Sequence, residues 1–493
     1  MEFLSPKEKR ARTIKLFTGY ALIAVLIGLA TLVLVYLAQG YGYDPQKGVS
    51  RSGLVFFAAK PGTADIYVDG QKKDKTDARL TLDEGIHQTA LKKDKYRDWT
   101  KTINVEGGSV LYLSYVRLFP VNIPLGITQA FTNAPAWTSQ SLDRRWLVLQ
   151  PKTDTPTLQI YDLLKPTTDP KTVTLPVAQV SSEAGNFGAL APVEWSDDNK
   201  HLLLKQTLPS GKITYVVFDR EDNAQTFNAT KKLSLPDGYA LSLRNKNFDR
   251  YYAFNQGTGE IRTADAKSGM QTVASVTGVV SFKSYADDLI LYTTYNNAAA
   301  NQVNVFVQSG NSDTYRLQAL PKDANNRYLL DMAKYDNSWY YITASSSDKK
   351  ALMYKDPLSK IKPGNITPAA PRLALVINNP QFASFSDNTR FIGLQSGKQF
   401  VVFDAELNRV YRYQSALAIA DTQQAKWMDG HRFSVVADGK ESVFDFDGTN
   451  VQTLVNSRQE FPAYFDRDYQ YVYTLVPQAD GKTGMQNGQI ILP

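Results

Sequence analysis

Trp195-Ser196-Asp197-Asp198-Asn199-Lys200-His201-Leu202-Leu203-Leu204 compresses an aromatic residue, an acidic turn and an apolar run into ten residues. The same order recurs along the chain. Trp137 leads through Asp143 to Trp146–Leu149, Leu243 through Asp249 to Tyr251–Phe254, and Phe282 through Asp287 and Asp288 to Leu289–Tyr292. Met332 leads through Asp336 to Trp339–Ile342, Phe385 through Asp387 to Phe391–Leu394, and Trp427 through Asp429 to Phe433–Val436. Tyr464, followed by Asp466 and Asp468, leads to Tyr471–Tyr473 and completes eight copies. A second short run follows each first one, and six of the eight end in Asp, as Leu158–Asp162 and Phe400–Asp404 do. In the other two copies, Val303–Val307 and Gly488–Leu492, that Asp is absent.

Strand starts from Trp146 to Tyr471 are 325 residues apart over seven intervals, a mean of about 46. A period of 40–50 with several strands per unit marks a β-propeller. One small sheet cannot cover both of its faces, so each needs a neighbour on either side. Residues 120–493 are therefore expected to be an all-β propeller of eight blades, or seven if two half-units merge. Val121–Ala130 is expected to supply a strand that closes the ring. The recurring aromatics (Trp137, Trp195, Phe385, Trp427, Tyr464) are read as wedges between blades. The recurring acids (Asp197, Asp387, Asp429) are read as turn residues whose side chains bond nearby backbone. Trp195-Ser196-Asp197-Asp198 and Phe385-Ser386-Asp387 resemble the Trp-Ser-x-Asp turn of TolB-like and WD40-like propellers. The Trp-Asp blade ending of true WD40 repeats is missing, which favours the TolB-like group.

Upstream, residues 53–119 read as short strands bounded by turns at Pro61-Gly62, Asp69-Gly70, Glu84-Gly85 and Gly107-Gly108. The expected strands are Leu54–Ala58, Ala64–Val68, Leu80–Leu82, His87–Leu91, Thr100–Val105 and Val110–Leu118. Asp-Gly after an apolar strand signals a hairpin, because the turn requires positive φ. Pro61, Gly62, Val68, Asp69, Gly70, Thr76, Gly85 and Tyr96 follow in the order and spacing of the PEGA domain, which this segment resembles. Thr76-Asp77 stands where that family has Thr-Pro, and His87 where it has an aromatic residue. The resemblance implies a small β-sandwich on a surface protein and implies no activity.

From Leu16 to Ala38, 23 residues contain no charge. As a helix this is about 34 Å, enough to cross a hydrocarbon core of roughly 30 Å. Lys7, Lys9, Arg10, Arg12 and Lys15 precede it, and the positive-inside rule then puts the N-terminus in the cytoplasm. Competing readings are a signal peptide cleaved near Ala38-Gln39-Gly40 and a buried core helix. Residues 1–15 are expected as a basic cytoplasmic tail and the Gly-, Ser- and Pro-containing 39–52 as a flexible stalk. The net charge of +7 divides into +4 for residues 1–51, +2 for 52–119 and +1 for the rest. The large domain thus offers no electrostatic footprint for nucleic acid.

With no Cys and three distant His (His87, His201, His431), neither a thiolate nor a multi-histidine metal site is expected. No G-x-S-x-G elbow, Walker loop, dinucleotide fingerprint or H-E-x-x-H occurs. Asp445-Phe446-Asp447-Gly448-Thr449-Asn450 has the oxygen-rich look of a calcium loop, but no acid follows in residues 451–457, so an Asp-Gly hairpin is the plainer reading. No cofactor, metal or catalytic residue is assigned. The expected function is non-enzymatic. A bilayer anchor at residues 16–38 holds the bulk outside the cytoplasm, where the propeller binds a cell-wall polymer, a glycan or an envelope protein. A subunit of an envelope-spanning assembly or secretion complex is the first alternative, and an enzyme acting on wall polymers the second.

Overall fold

The computed structural model describes residues 6–44, 48–153, 155–310, 313–360, 362–364 and 367–492. Residues 1–5 of the expected tail and 45–47 of the expected stalk lie outside the described residues. The chain divides into two compact units, Met1–Asn122 and Ile123–Pro493.

Helix α1 runs from Pro6 to Ala38, so the described part of the expected tail is already helical. Proline suits a first helical position, where its missing N–H would have no partner. Arg10–Ala38 is long and apolar enough to cross a membrane, and none of its apolar window is buried inside the protein. Within this greasy stretch the hydroxyls of Thr18 and Thr31 donate to the carbonyls of Ile14 and Ile27, at 2.9 and 2.8 Å, so neither threonine hydroxyl is left without an acceptor.

The expected stalk is instead largely strand. Tyr41–Asp44 pairs antiparallel with Gly48–Arg51, Tyr41 opposite Arg51 and Asp44 opposite Gly48. Gly and Ser suggest a linker by composition, but Tyr41 and Tyr43 favour extended backbone, and Gly48–Lys60 forms one continuous strand that takes the hairpin as its edge.

Two four-stranded sheets follow in this first unit. One joins Tyr41–Asp44, Gly48–Lys60, Ala78–Asp83 and the parallel strand Val110–Arg117. The other joins Gln71–Lys75, Asp65–Val68, Gly85–Lys92 and Trp99–Val105. Both contribute to the core, with Val55, Phe57, Ile66, Leu91, Trp99 and Leu113 all buried. Each of the six expected strands is present. Gln71–Lys75 is an additional one, and every side chain in it is exposed. A lysine-rich strand at a sheet edge has no apolar alternation to betray it, and its charges discourage pairing with another chain.

Among the described residues the second unit contains eight four-stranded antiparallel sheets. Seven are built from consecutive strands, beginning with Trp137–Gln140, Trp146–Gln150, Thr157–Asp162 and Lys171–Thr174 and ending with Lys426–Trp427, Arg432–Ala437, Lys440–Asp445 and Gln452–Asn456. The eighth takes Tyr464–Phe465, Tyr471–Pro477 and Thr483–Gln489 from the end of the chain, then Leu125–Phe131 from the start of the unit. Met485 stands opposite Gln129, and Gly488 opposite Leu125. The closing strand thus begins four residues later than the expected Val121, after Pro124, which has no N–H to donate. Its partner lies at Thr483–Gln489 rather than Gly488–Leu492, because the Asp480-Gly481 turn returns the chain earlier, with Gln478 N–H donating to Lys482 O at 2.8 Å.

Buried clusters span neighbouring sheets. Leu158, Val173, Trp195 and Leu204 join the first two, and Phe131, Leu147, Tyr161, Tyr473 and Met485 join the eighth to the first. Gln140 Nε2 donates to Phe465 O at 2.8 Å and Tyr473 Oη donates to Leu163 O at 2.7 Å across the same junction. The arrangement is a β-propeller with a non-covalent closing strand. Met485 is fully buried at that junction while Ile127 on the paired strand is 49% exposed. Met485→Ala is expected to cost about 2–5 kcal/mol and Ile127→Ala less than about 1 kcal/mol. Urea denaturation of the full chain checks this, and equal shifts would contradict the closure.

Candidate functional site

Three of the sheets place one kind of turn after their first strand. In Ser141-Leu142-Asp143 the serine hydroxyl donates to Asp143 at 2.5 Å and accepts from Trp146 N–H at 2.9 Å. Ser386 repeats this with Asn388 at 2.7 Å and Phe391 N–H at 3.0 Å. Ser196 donates to Asp198, which also accepts from Lys200 N–H at 2.8 Å and His201 Nδ1 at 2.6 Å. The next residue is left-handed each time, with φ of +59° at Arg144, +56° at Asn199 and +58° at Thr389, and Tyr469 after Asp468 of the eighth sheet has φ +54°. Burial works against the charge on Asp198, but these donors outweigh it and lower its pKa.

The turn residues differ by one from those expected. Asp198 and Asn388, not Asp197 and Asp387, hold the backbone. Adjacent acids are indistinguishable by composition, and only the serine two positions earlier fixes which one faces the turn. Asp197 and Asp387 occupy the middle of the loop, where they meet neighbouring sheets. Asp429 does hold its own turn, accepting from His431 N–H at 2.8 Å and from Arg432 Nη1 at 2.8 Å.

Among the expected wedges, Trp195 and Trp427 are equivalent. Each indole N–H donates at 3.0 Å to a serine of the preceding sheet, Ser139 and Ser384. Phe385 lies at the matching position, opposite Ile392. Gly393 leaves the space this packing needs, since a Cβ there would lie 2.9 Å from Phe433 and 3.1 Å from Trp427. Trp137 and Tyr464 are buried but not equivalent. Gln140 and Phe465 hold the matching positions, opposite Leu147 and Val472. Trp137 sits at the other end of its strand, opposite Gln150, whose side chain accepts its indole N–H at 2.8 Å. A polar residue in the wedge position of the first sheet hid the true alignment.

The loops bond to one another around one mouth of the central channel. Asp143 N–H donates to Asn199 Oδ1 at 2.9 Å, Asp197 N–H to Lys246 O at 2.9 Å, and Thr389 Oγ1 to Lys334 O at 2.6 Å. Arg244 grips Asp288 with two hydrogen bonds, 2.7 and 2.5 Å. Arg144, left-handed on the first sheet, reaches Asp387 on the sixth, Met428 O on the seventh and Tyr469 Oη on the eighth. Burial pushes the Asp387 carboxyl above its ordinary value, Arg144 opposes this, and Asp429 adds to it.

Beside Arg144 lies a cavity of about 290 Å³ between the first, seventh and eighth sheets, lined by Thr138, Gln140, Lys426, Trp427 and Ser434 among others. Lys426 lines this cavity while remaining exposed, and the surrounding protein lowers its pKa against the opposing pull of Glu441. Behind Ser434 and Ala463 sits Glu441, 1% exposed, with neither carboxyl oxygen completing a hydrogen bond. Burial pushes its pKa up to about 8, against the opposing pull of Ser434, the Ala463 backbone and Lys426. A larger groove of about 660 Å³ lies along Gln129–Asn133 and Pro151–Thr153, with Lys152 as its charged lining residue. Its other polar lining residues, Gln129, Thr132, Asn133 and Thr153, are neutral.

The expected PEGA positions are structural. Asp69 and Gly70 have φ of +50° and +78°, as a two-residue hairpin turn requires. Val68 is 2% exposed. Thr76 Oγ1 accepts from Ala64 N–H at 3.0 Å. Pro61 and Gly62 form the turn after Gly48–Lys60, Gly85 opens its strand at φ +141°, and buried Tyr96 bridges to Pro120. Asp69 also accepts from His87 Nδ1 at 2.7 Å. Burial lowers the His87 pKa, but Asp69 and the Asp83 carbonyl outweigh it and raise it above 6.5. The unusual histidine is thus an ion-pair partner of the hairpin aspartate. Around the suspected calcium loop, Asp445 meets Arg432 Nε at 3.4 Å and Asn450 Nδ2 at 2.9 Å, and Asp447 accepts from Thr449 Oγ1 at 2.7 Å. These are the contacts of a closed turn. Among the described residues no group of three His, Asp or Glu has metal-binding geometry.

Two substitutions test the site. Arg144→Met leaves Asp387 without its cation and, with Asp387 partly open to solvent, should cost on the order of 1 kcal/mol. Asp387→Asn should recover part of that loss in the double variant, and strictly additive losses in denaturation would contradict the pairing. Glu441 binds its proton more tightly folded than unfolded, so its contribution is full below about 4.5 and is lost as pH rises through about 8. Glu441→Gln should remove that slope, raising stability at pH 8 relative to pH 5 by on the order of 3 kcal/mol. Parallel stability profiles for the two proteins would contradict a buried, protonated Glu441.

Residues 52–117 match the PEGA domain family. No curated protein matches the sequence. Among solved structures the chain is similar to an oligogalacturonate lyase in complex with manganese, at 10% identity and TM-score 0.39, covering 75% of this chain and 98% of that one. Dihydro-heme d1 dehydrogenase NirN in complex with DHE is similar at 13% identity and TM-score 0.40, covering 81% and 74%. The β-propeller domain of Cps50 (Swd1) from Myceliophteria thermophila is similar at 11% identity and TM-score 0.37, covering 67% and 99%. The chain carries a PEGA domain at residues 52–117, followed by a β-propeller.

Proposed function

We propose that this chain is a single-pass membrane protein whose N-terminus is cytoplasmic and whose PEGA domain and propeller lie outside, where the propeller binds a wall polymer, a glycan or an envelope protein. The observation that carries this reading is helix α1. Its Leu, Ile, Val and Phe side chains from Ile14 to Leu37 are 49–75% exposed. Each such side chain gains about 1.5–3 kcal/mol on leaving water. A stretch this long with no protein partner is accounted for by lipid. Lys7, Arg10, Arg12 and Lys15 stand at one end, and the first strand begins at Tyr41, three residues past the other. The positive end favours the cytoplasmic side.

A binding role, rather than a catalytic one, rests on how the loop acids are used. Asp143, Asp198, Asp429 and Asp466 hold backbone N–H groups of their own turns. Asp288 and Asp387 are paired with arginines from other sheets. These carboxylates build a rigid face, which suits recognition by a broad loop surface. A carbohydrate or an envelope protein fits such a face, and nucleic acid does not, given the near-neutral charge of the large domain.

The native chain has no Cys, so single introduced cysteines report topology cleanly. Val177, 70% exposed on the propeller, and Lys7, exposed at the start of α1, are suitable sites. A membrane-impermeant maleimide on intact cells should label Val177→Cys directly and Lys7→Cys only after permeabilisation. The reverse pattern, or recovery of the protein in the soluble fraction, would overturn the proposal.

A further inference from the structure

The channel cavity holds a positive charge without a counter-ion. Lys426 lines it and takes part in no hydrogen bond or ion pair among the described residues. The neighbouring cation, Arg144, is already met by Asp387. The carboxyl whose charge would act on Lys426 is that of Glu441, which makes no ion pair with it and whose burial pushes its pKa up to about 8. An ammonium in a partly enclosed, low-dielectric space attracts an anion more strongly than one on the open surface. Thr138, Gln140 and Ser434 add polar groups around it, and Trp427 adds an apolar edge.

We propose that this cavity binds a small anionic ligand, whose carboxylate or phosphate oxygens sit on the Lys426 ammonium. The space of about 290 Å³ is roughly ten water volumes, enough for a ligand the size of a sugar acid or a sugar phosphate. The site is built from three sheets, so it exists only in the closed ring. It does not depend on which side of a membrane the propeller occupies, and it stands apart from the topology proposed above.

Calorimetric titration of the full chain in a polyoxyethylene detergent, which brings no sugar or charge of its own, tests this. The probes are D-glucuronate, inorganic phosphate and neutral D-glucose. Saturable binding of glucuronate or phosphate is expected, and no binding of glucose. Which of the two anions binds identifies carboxylate or phosphate as the group recognised. Lys426→Met should weaken binding at least about tenfold, the loss of one charge-assisted hydrogen bond, with Lys426→Arg within about threefold of the native chain. An unchanged circular dichroism spectrum and melting temperature show that the variants are folded. The inference is overturned if neither anion saturates, if glucose binds as well as glucuronate, or if folded Lys426→Met binds like the native protein.

Discussion

The sheets of the large unit are apolar on both faces, and among the described residues no α-helix there is longer than the five-residue Ala229–Leu233. Burial against the next sheet is therefore the interaction on which the rest depends. In an open row the first and last sheets would each leave a greasy face in water. The ring removes both, and the junction that does so is held without any disulfide, since the chain has no Cys. Leu125–Phe131 hydrogen-bonds to Thr483–Gln489 from the far end of the chain, and Phe131, Leu147, Tyr473 and Met485 fill the seam. Closure is a long-range contact, and its loop entropy is recovered only when the whole circle forms.

The ring also explains the site. Arg144 is 243, 284 and 325 residues from Asp387, Met428 and Tyr469 in sequence, yet they converge because turns of different sheets point at one mouth. The turns at Ser141, Ser196 and Ser386 each commit a serine and an Asp or Asn to their own loop, and the residue that follows is left-handed. That conformation is uncommon for a side chain as large as arginine. Here it carries Arg144 across the channel to three other sheets. The rigid loops at this mouth and the cavity beside it follow from the same geometry.

Much of this was legible in the sequence, for a physical reason. Apolar strands and acidic turns recur because each sheet solves the same burial problem, so the second and third strands of the sheets stood out, as at Leu202–Leu204 and Phe400–Asp404. What escaped notice was polar. Thr483–Gln489 carries Gly, Gln and Asn and lacks the apolar run that drew the expected strand to Gly488–Leu492, although its backbone pairs on both sides. Gln140 hid a wedge position, Gln71–Lys75 hid an edge strand, and Asp197 masked Asp198. Lys426 and Glu441 gave no signal at all. Fifteen residues apart in sequence, they matter through a cavity that only the ring creates.

The PEGA domain and helix α1 are simpler cases, because local pattern decides them. Hairpin turns need positive φ, and a long uncharged helix needs an apolar surrounding. The propeller needs a circle, and that global condition invites the most direct measurement. Native-state hydrogen exchange on the full chain reads the opening free energy of each strand. The closed ring predicts that amides in Leu125–Phe131 and Thr483–Gln489 are protected to the same degree as those of Leu202–Leu204 inside the second sheet. Rapid exchange along Leu125–Phe131 while the interior strands stay protected would show that the seam is not what holds the circle together.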